Sequence, residues 1–172
     1  MIADAAKAAA VLFVAAIVQV TLLSQIDVFH GAPDLVLVTL VSIALLRGTI
    51  FGAIAGFAVG FVVDTATLQT LGVTSLLLTI AGYWIGRYGE TTGRDRTHAP
   101  FVSVAVVTFL YSLGALILHY MLGDNVSASR VLLDAFPFEL IFNLILTLPV
   151  YALCRRLFRR APTGLEEVQL IG

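Results

Sequence analysis

Residues 33–48 read PDLVLVTLVSIALLRG, residues 49–64 read TIFGAIAGFAVGFVVD, and after a short polar turn residues 71–86 read LGVTSLLLTIAGYWIG. Asp34, Arg47 and Asp64 are the only charges in these runs, and each stands at an end. In the second run Gly52, Gly56 and Gly60 recur every fourth residue. A helix turns about 100° per residue, so each step of four drifts by only about 40° and the three glycines form one groove that Asp64 continues. In lipid, where close packing rather than the hydrophobic effect drives helix association, such a groove admits another helix. The stretch therefore predicts membrane helices organised around a close-packed one.

Composition leads to the same class. Apolar residues make up 59% of the 172 and charged residues only 12%, against roughly 25% charged in a soluble domain. Mean hydropathy is +1.00, more apolar surface than a soluble fold of this length hides. The single cysteine, Cys154, rules out an intrachain disulfide. It is expected to pack as a small apolar residue.

Six apolar spans are predicted, at residues 8–23, 35–46, 50–63, 68–85, 101–122 and 131–153. The first follows Lys7 and is not succeeded by a small-x-small cleavage site, so it is read as an uncleaved span. The second and third are short against a hydrocarbon core that needs about 20 residues. They are either two tilted spans or one re-entrant hairpin with Arg47 at its tip. Two spans are preferred, because an arginine inside the hydrocarbon costs roughly 2.5 to 3.5 kcal/mol on the insertion scale. Tyr83 and Trp84 are expected at the end of the fourth span, near the interface. In the sixth, Pro137 suits the first turn of a helix, whereas Pro149 lies inside the span. Residues 1–160 thus form one helical bundle, and residues 161–172 a mobile cytoplasmic tail too short to fold alone.

Nine of the ten basic residues fall on one side of a six-span arrangement, leaving only Arg130 on the other. By the positive-inside rule both termini are then cytoplasmic. The cytoplasmic basic face comprises Arg87, Arg94, Arg96, Arg155, Arg156, Arg159 and Arg160. It is expected to meet anionic lipid headgroups, and the mixed-sign Arg94-Asp95-Arg96 loop is a candidate for docking a protein.

Six spans use about 120 positions, so no soluble domain remains to carry a separate activity. No phosphate-cradling Gly-rich loop ends in Lys and Ser or Thr, and His30, His98 and His119 lie in different segments without nearby cysteine ligands. The serines lack the Gly-x-Ser setting and histidine partner of nucleophilic chemistry. No catalytic residue, cofactor, metal or nucleic acid is expected. The informative polar residues are intramembrane: Asp64, and Glu139 with Asn143 on one face of the last helix. Each is either a functional group or a structural one, Asp64 as a helix end reaching water and the other two as a tie between helices. The groove of Gly52, Gly56 and Gly60 is likewise either internal packing or a partner interface. Gly82 and Gly86 repeat its spacing once, which chance alone supplies.

Pro33-Asp34-Leu35, the LLRG of residues 45–48, the Gly56, Gly60 and Asp64 run, Gly72, the GYWIGR of residues 82–87 and the closing NLILTLPVYALCRR of residues 143–156 together resemble the MreD family. The resemblance covers residues 27–160. It implies an inner-membrane component of the bacterial cell-elongation complex, without catalysis, working with MreC, the actin-like MreB, the glycosyltransferase RodA and a class B penicillin-binding protein. It also implies the helical-bundle fold of the substrate-binding components of energy-coupling-factor transporters. A vitamin-binding component of that kind is the alternative function, and Ala5 with Ala9 and Ala6 with Ala10 would suit its first helix. Against it, the outer loops are short and poor in the groups that a specific pocket needs.

Overall fold

In the computed structural model the described residues are 2–21, 33–67, 71–92, 98–121 and 136–158. They form six helices: α1 (Ile2–Thr21), α2 (Leu35–Arg47), α3 (Thr49–Thr67), α4 (Val73–Thr92), α5 (Ala99–Met121) and α6 (Phe136–Phe158). α1 from Asp4 onward, α3, α5 and α6 are each long and apolar enough to cross a membrane. The chain is all-α, a membrane helical bundle.

α2 is the axis, packed against each of the other five helices. Every residue from 36 to 45 is buried. At 1.5 Å per residue its 13 residues extend about 20 Å, short of a hydrocarbon core of about 30 Å. Val36 and Leu37 in its first turn are buried, so protein must supply acceptors for their amides. Asp34 is the N-cap, its Oδ1 accepting from Leu37 N–H at 2.8 Å. Gln19 of α1 accepts from Val36 N–H through Oε1 at 2.7 Å, and Asn143 of α6 from Asp34 N–H through Oδ1 at 2.8 Å. Three elements thus complete one helix end.

At the other end a single residue, Gly48, separates α2 from α3. Its φ of 99° is the left-handed conformation that favours glycine. Its N–H donates to Ala44 O, while its own carbonyl accepts from Gly52 N–H. Arg47, beside this turn, pairs with Asp4 at the start of α1 and lies over the Phe158 ring at the end of α6. The starts of α1 and α3 and the ends of α2, α4 and α6 therefore gather at one end of the bundle.

The fourth helix departs from its expected limits. It continues to Thr92, seven residues past the predicted end, and Tyr83 with Trp84 lie mid-helix as an exposed edge-to-face pair. The reason is packing: Gly86 and Gly89 rest on the backbone of Gly48 and Leu45, which holds the last turns of α4 against the α2–α3 turn. α6 begins one residue before Pro137 and runs through Pro149. Residues 131–135 and the expected tail, 161–172, lie outside the described residues.

Candidate functional site

The groove of Gly52, Gly56 and Gly60 is filled by α4. A Cβ on Gly52 would collide with Gly82 O, one on Gly56 with Leu78 O, and one on Gly60 with Ser75 Cα. The relation is mutual, since a Cβ on Gly82 would strike Gly52 O and one on Gly86 would meet Gly48. Gly82 and Gly86, which chance sufficed to explain in the sequence, are the facing half of the seam. A pair at spacing four is uninformative alone; what gives it meaning is the opposite helix.

A carboxylate closes each end of this seam. Asp64, wholly buried near the end of α3, accepts from the backbone N–H groups of Gly72, Thr74 and Ser75 at 2.8, 3.2 and 3.2 Å. It is the acceptor for the first turn of α4, where orphan amides and the helix dipole both favour an anion. Glu90, near the end of α4, does the same for α3: Thr49 N–H donates to Oε1 at 2.9 Å and Thr49 Oγ1 to Oε2 at 2.6 Å. Each helix of the pair caps the other. Glu90 was not among the sequence candidates because it falls in a charged, Gly- and Thr-rich stretch that reads as a loop.

The other two intramembrane candidates face α5. Ser112 Oγ donates to Glu139 Oε2 at 3.1 Å, and Asn143 Nδ2 donates to Thr108 Oγ1 at 3.1 Å. Asn143 is fully buried and, through the Asp34 bond above, joins α6 to α2 and α5 at once. Thr147 Oγ1 donates back to Asn143 O at 2.7 Å. Gln19, Asp34, Thr108 and Ser112 are the members of this network that were not among the intramembrane site candidates. Only Asp34, directly before an apolar run, carries a local signal, that of an N-cap.

Of the basic face, Arg87, Arg155 and Arg156 are described and exposed, at the end where α4 and α6 finish. Arg87 stands 4.0 Å from Glu90. Arg94, Arg96, Arg159 and Arg160 lie outside the described residues. Among the described residues no group of three His, Cys, Asp or Glu side chains comes together to hold a metal.

The other flank of α3 is open. There Phe51, Ile54, Ala55, Ala58, Val59 and Val62 face α1 across a groove of about 650 Å³, and Ala5, Ala8, Ala9, Ala10, Leu12 and Phe13 form its far wall. The lining is apolar throughout, so the groove suits an acyl chain or an apolar side chain and offers nothing to orient a polar ligand.

The family model for the rod shape-determining protein MreD matches residues 7–157. No curated protein and no solved structure matches the chain. The matched segment takes in all of α2 to α5 and all but the last residue of α6, and with them the seam, both carboxylate clasps and the polar network at the start of α2. The chain belongs to the MreD family of rod shape-determining proteins.

Proposed function

We propose that this protein is a non-catalytic scaffold of the complex that elongates the bacterial cell wall, set in the inner membrane with both termini cytoplasmic. One observation carries the reading: Gln19, Asp34, Asp64, Glu139 and Asn143, the carboxylate and carboxamide groups along the bundle, are engaged in capping helices or tying them together. Asp64 and Glu90 cap α4 and α3, Gln19, Asp34 and Asn143 cap α2, and Arg47 holds α1. Groups spent on caps and clasps build a rigid body whose outer surface is what it presents to others. Family membership supplies the process, rod-shape determination. The partners that this reading assigns are MreC and, through it or directly, MreB, RodA and a class B penicillin-binding protein, with anionic lipid along the basic end.

Orientation is supported by the exposed Lys7, Arg87, Arg155 and Arg156, which all lie at the end shared by the starts of α1 and α3. Gentle solubilisation of the tagged chain tests the scaffold reading. MreC should co-purify in stoichiometric amount. A tightly held small molecule in place of MreC would instead establish the transporter-type binding component. A reporter active only in the cytoplasm, fused after Arg160, should be active; silence there reverses the orientation.

A further inference from the structure

α4 limits the thickness of the bilayer that can lie beside it. Its exposed stripe is Leu76, Ile80, Tyr83, Trp84 and Arg87, which share one face of the helix. Just before the helix, Leu71 and Gly72 form an exposed turn, and turns open to lipid do not occur within the hydrocarbon. Toward the other end the stripe stops at the exposed Arg87. From Val73, the first helical residue, to Arg87 the rise is about 21 Å. The helix bolted to α4 gives the same height: Thr49, held by Glu90, and Asp64, held to the start of α4, stand about 22 Å apart along α3. Snorkelling extends this band little, because a helical side chain leans toward the N-terminus of its own helix, and for Arg87 that direction is into the hydrocarbon. Tyr83 and Trp84 agree with the boundary. They precede Arg87 by one turn, the level between hydrocarbon and headgroups that such rings favour, although the helix itself runs on to Thr92.

α5 is built to another height. It runs 23 residues, Ala99–Met121, without Asp, Glu, Lys or Arg, a rise of about 33 Å. Tilting shortens the height that a helix covers and never lengthens it, so α5 fits a hydrocarbon core of about 30 Å whereas the α3–α4 pair falls short of it. Sliding the pair apart to gain height is closed off as well, because the two backbones interlock along the glycine seam. What remains is for the lipid to adapt. We propose that the α3–α4 flank draws the adjoining bilayer thin and gathers phospholipids with short acyl chains, while the α5 flank keeps lipids of ordinary length. This inference rests on the bundle's crossing the membrane and on no protein partner, so the co-purification experiment above does not decide it.

Trp84 is the only tryptophan in the chain, and its exposure on α4 makes it a reporter of the lipid there. The full chain is placed in vesicles of a brominated eighteen-carbon phosphatidylcholine, which quenches tryptophan fluorescence, mixed with an unbrominated phosphatidylcholine of fourteen, eighteen or twenty-two carbons. Fourteen-carbon lipid should displace the quencher from Trp84 better than eighteen-carbon lipid by about twofold or more, and twenty-two-carbon lipid should do worst. Moving the reporter to the α5 flank with Trp84→Phe and Phe109→Trp, a site edge-on to Phe136 of α6, should abolish the preference for the short chain. Arg87→Leu, which lengthens the exposed apolar stripe by about one turn, should weaken that preference at Trp84. The unsubstituted protein reads out even if a variant folds poorly. Equal or better displacement by eighteen-carbon lipid at Trp84 overturns the proposal, as does the same short-chain preference on both flanks or one that Arg87→Leu leaves unchanged.

Discussion

α3 meets α4 and α1 through small residues on both flanks, with opposite results. Toward α4 the residues are glycines, the backbones touch, and a carboxylate locks each end. Toward α1 they are alanines interleaved with Phe51, Ile54 and Val62, and a groove of about 650 Å³ remains. Glycine on one flank admits backbone contact, whereas alanine together with larger side chains on the other leaves a groove beside the α1–α3 contact. Small residues at spacing four therefore do not fix a tight interface by themselves. What fixes it is a facing helix that is also small at the matching level, as Gly82 is for Gly52, together with polar ties that set the register.

The largest expected effect breaks the closed flank. Gly52→Leu would drive a side chain into Gly82 O and Ala44 Cβ, and backbone on one side cannot yield as a side chain can. A loss at or above the upper end of the usual overpacking range, about 3 kcal/mol, is expected. It would be read as lost folded protein in lipid and a lower unfolding temperature. Asp64→Ala comes next. It leaves the amides of Gly72, just before α4, and of Thr74 and Ser75 in its first turn without their acceptor, at about 1 to 3 kcal/mol, whereas Asp64→Asn, which keeps one carbonyl oxygen, should lose less. Amide exchange confined to the first turn of α4 would locate the effect; exchange spread evenly over the bundle would count against the clasp.

Smaller still is Asn143→Leu. It removes the acceptor for Asp34 N–H and the donor to Thr108, and polar ties inside membrane bundles typically contribute about 0.6 kcal/mol, up to about 1.7. Chemical unfolding in mixed micelles resolves a change of that size. The smallest effect belongs to the open flank. Ala55→Leu places extra carbons in a groove that has room for them, and stability should stay within about 0.5 kcal/mol of the parent.

These contrasts also mark what a sequence can disclose. The six helices were legible from apolar runs and their breaks, and Asp34 before Leu35 carried the signal of an N-cap. The period of Gly52, Gly56 and Gly60 announced close packing, because three steps at one spacing define a stripe. The facing residues were not legible: Gly82 and Gly86 make only one such step, and their meaning comes from the antiparallel register that sets them opposite Gly52 and Gly48. Glu90 was hidden for a related reason. It lies in GRYGETTGRDRTHAP, a stretch that reads as a loop, and the helix reaches it only because Gly86 and Gly89 keep α4 seated on the α2–α3 turn. Gln19 and Asn143 serve α2 from 17 and 109 residues away in the chain, a partnership created by the short central helix and visible only once it is in place.

The central claim is that the two flanks of α3 differ in backbone approach, and two variants in identical bilayers test it against the ordinary rule that bigger insertions cost more. Gly56→Ala adds a single methyl group directed at Leu78 O, whereas Ala58→Leu adds three carbons beside the groove. Equilibrium unfolding should show Gly56→Ala destabilised by about 1 to 3 kcal/mol and Ala58→Leu within about 0.5 kcal/mol of the parent. Equal losses, or a greater loss for Ala58→Leu, would contradict the account.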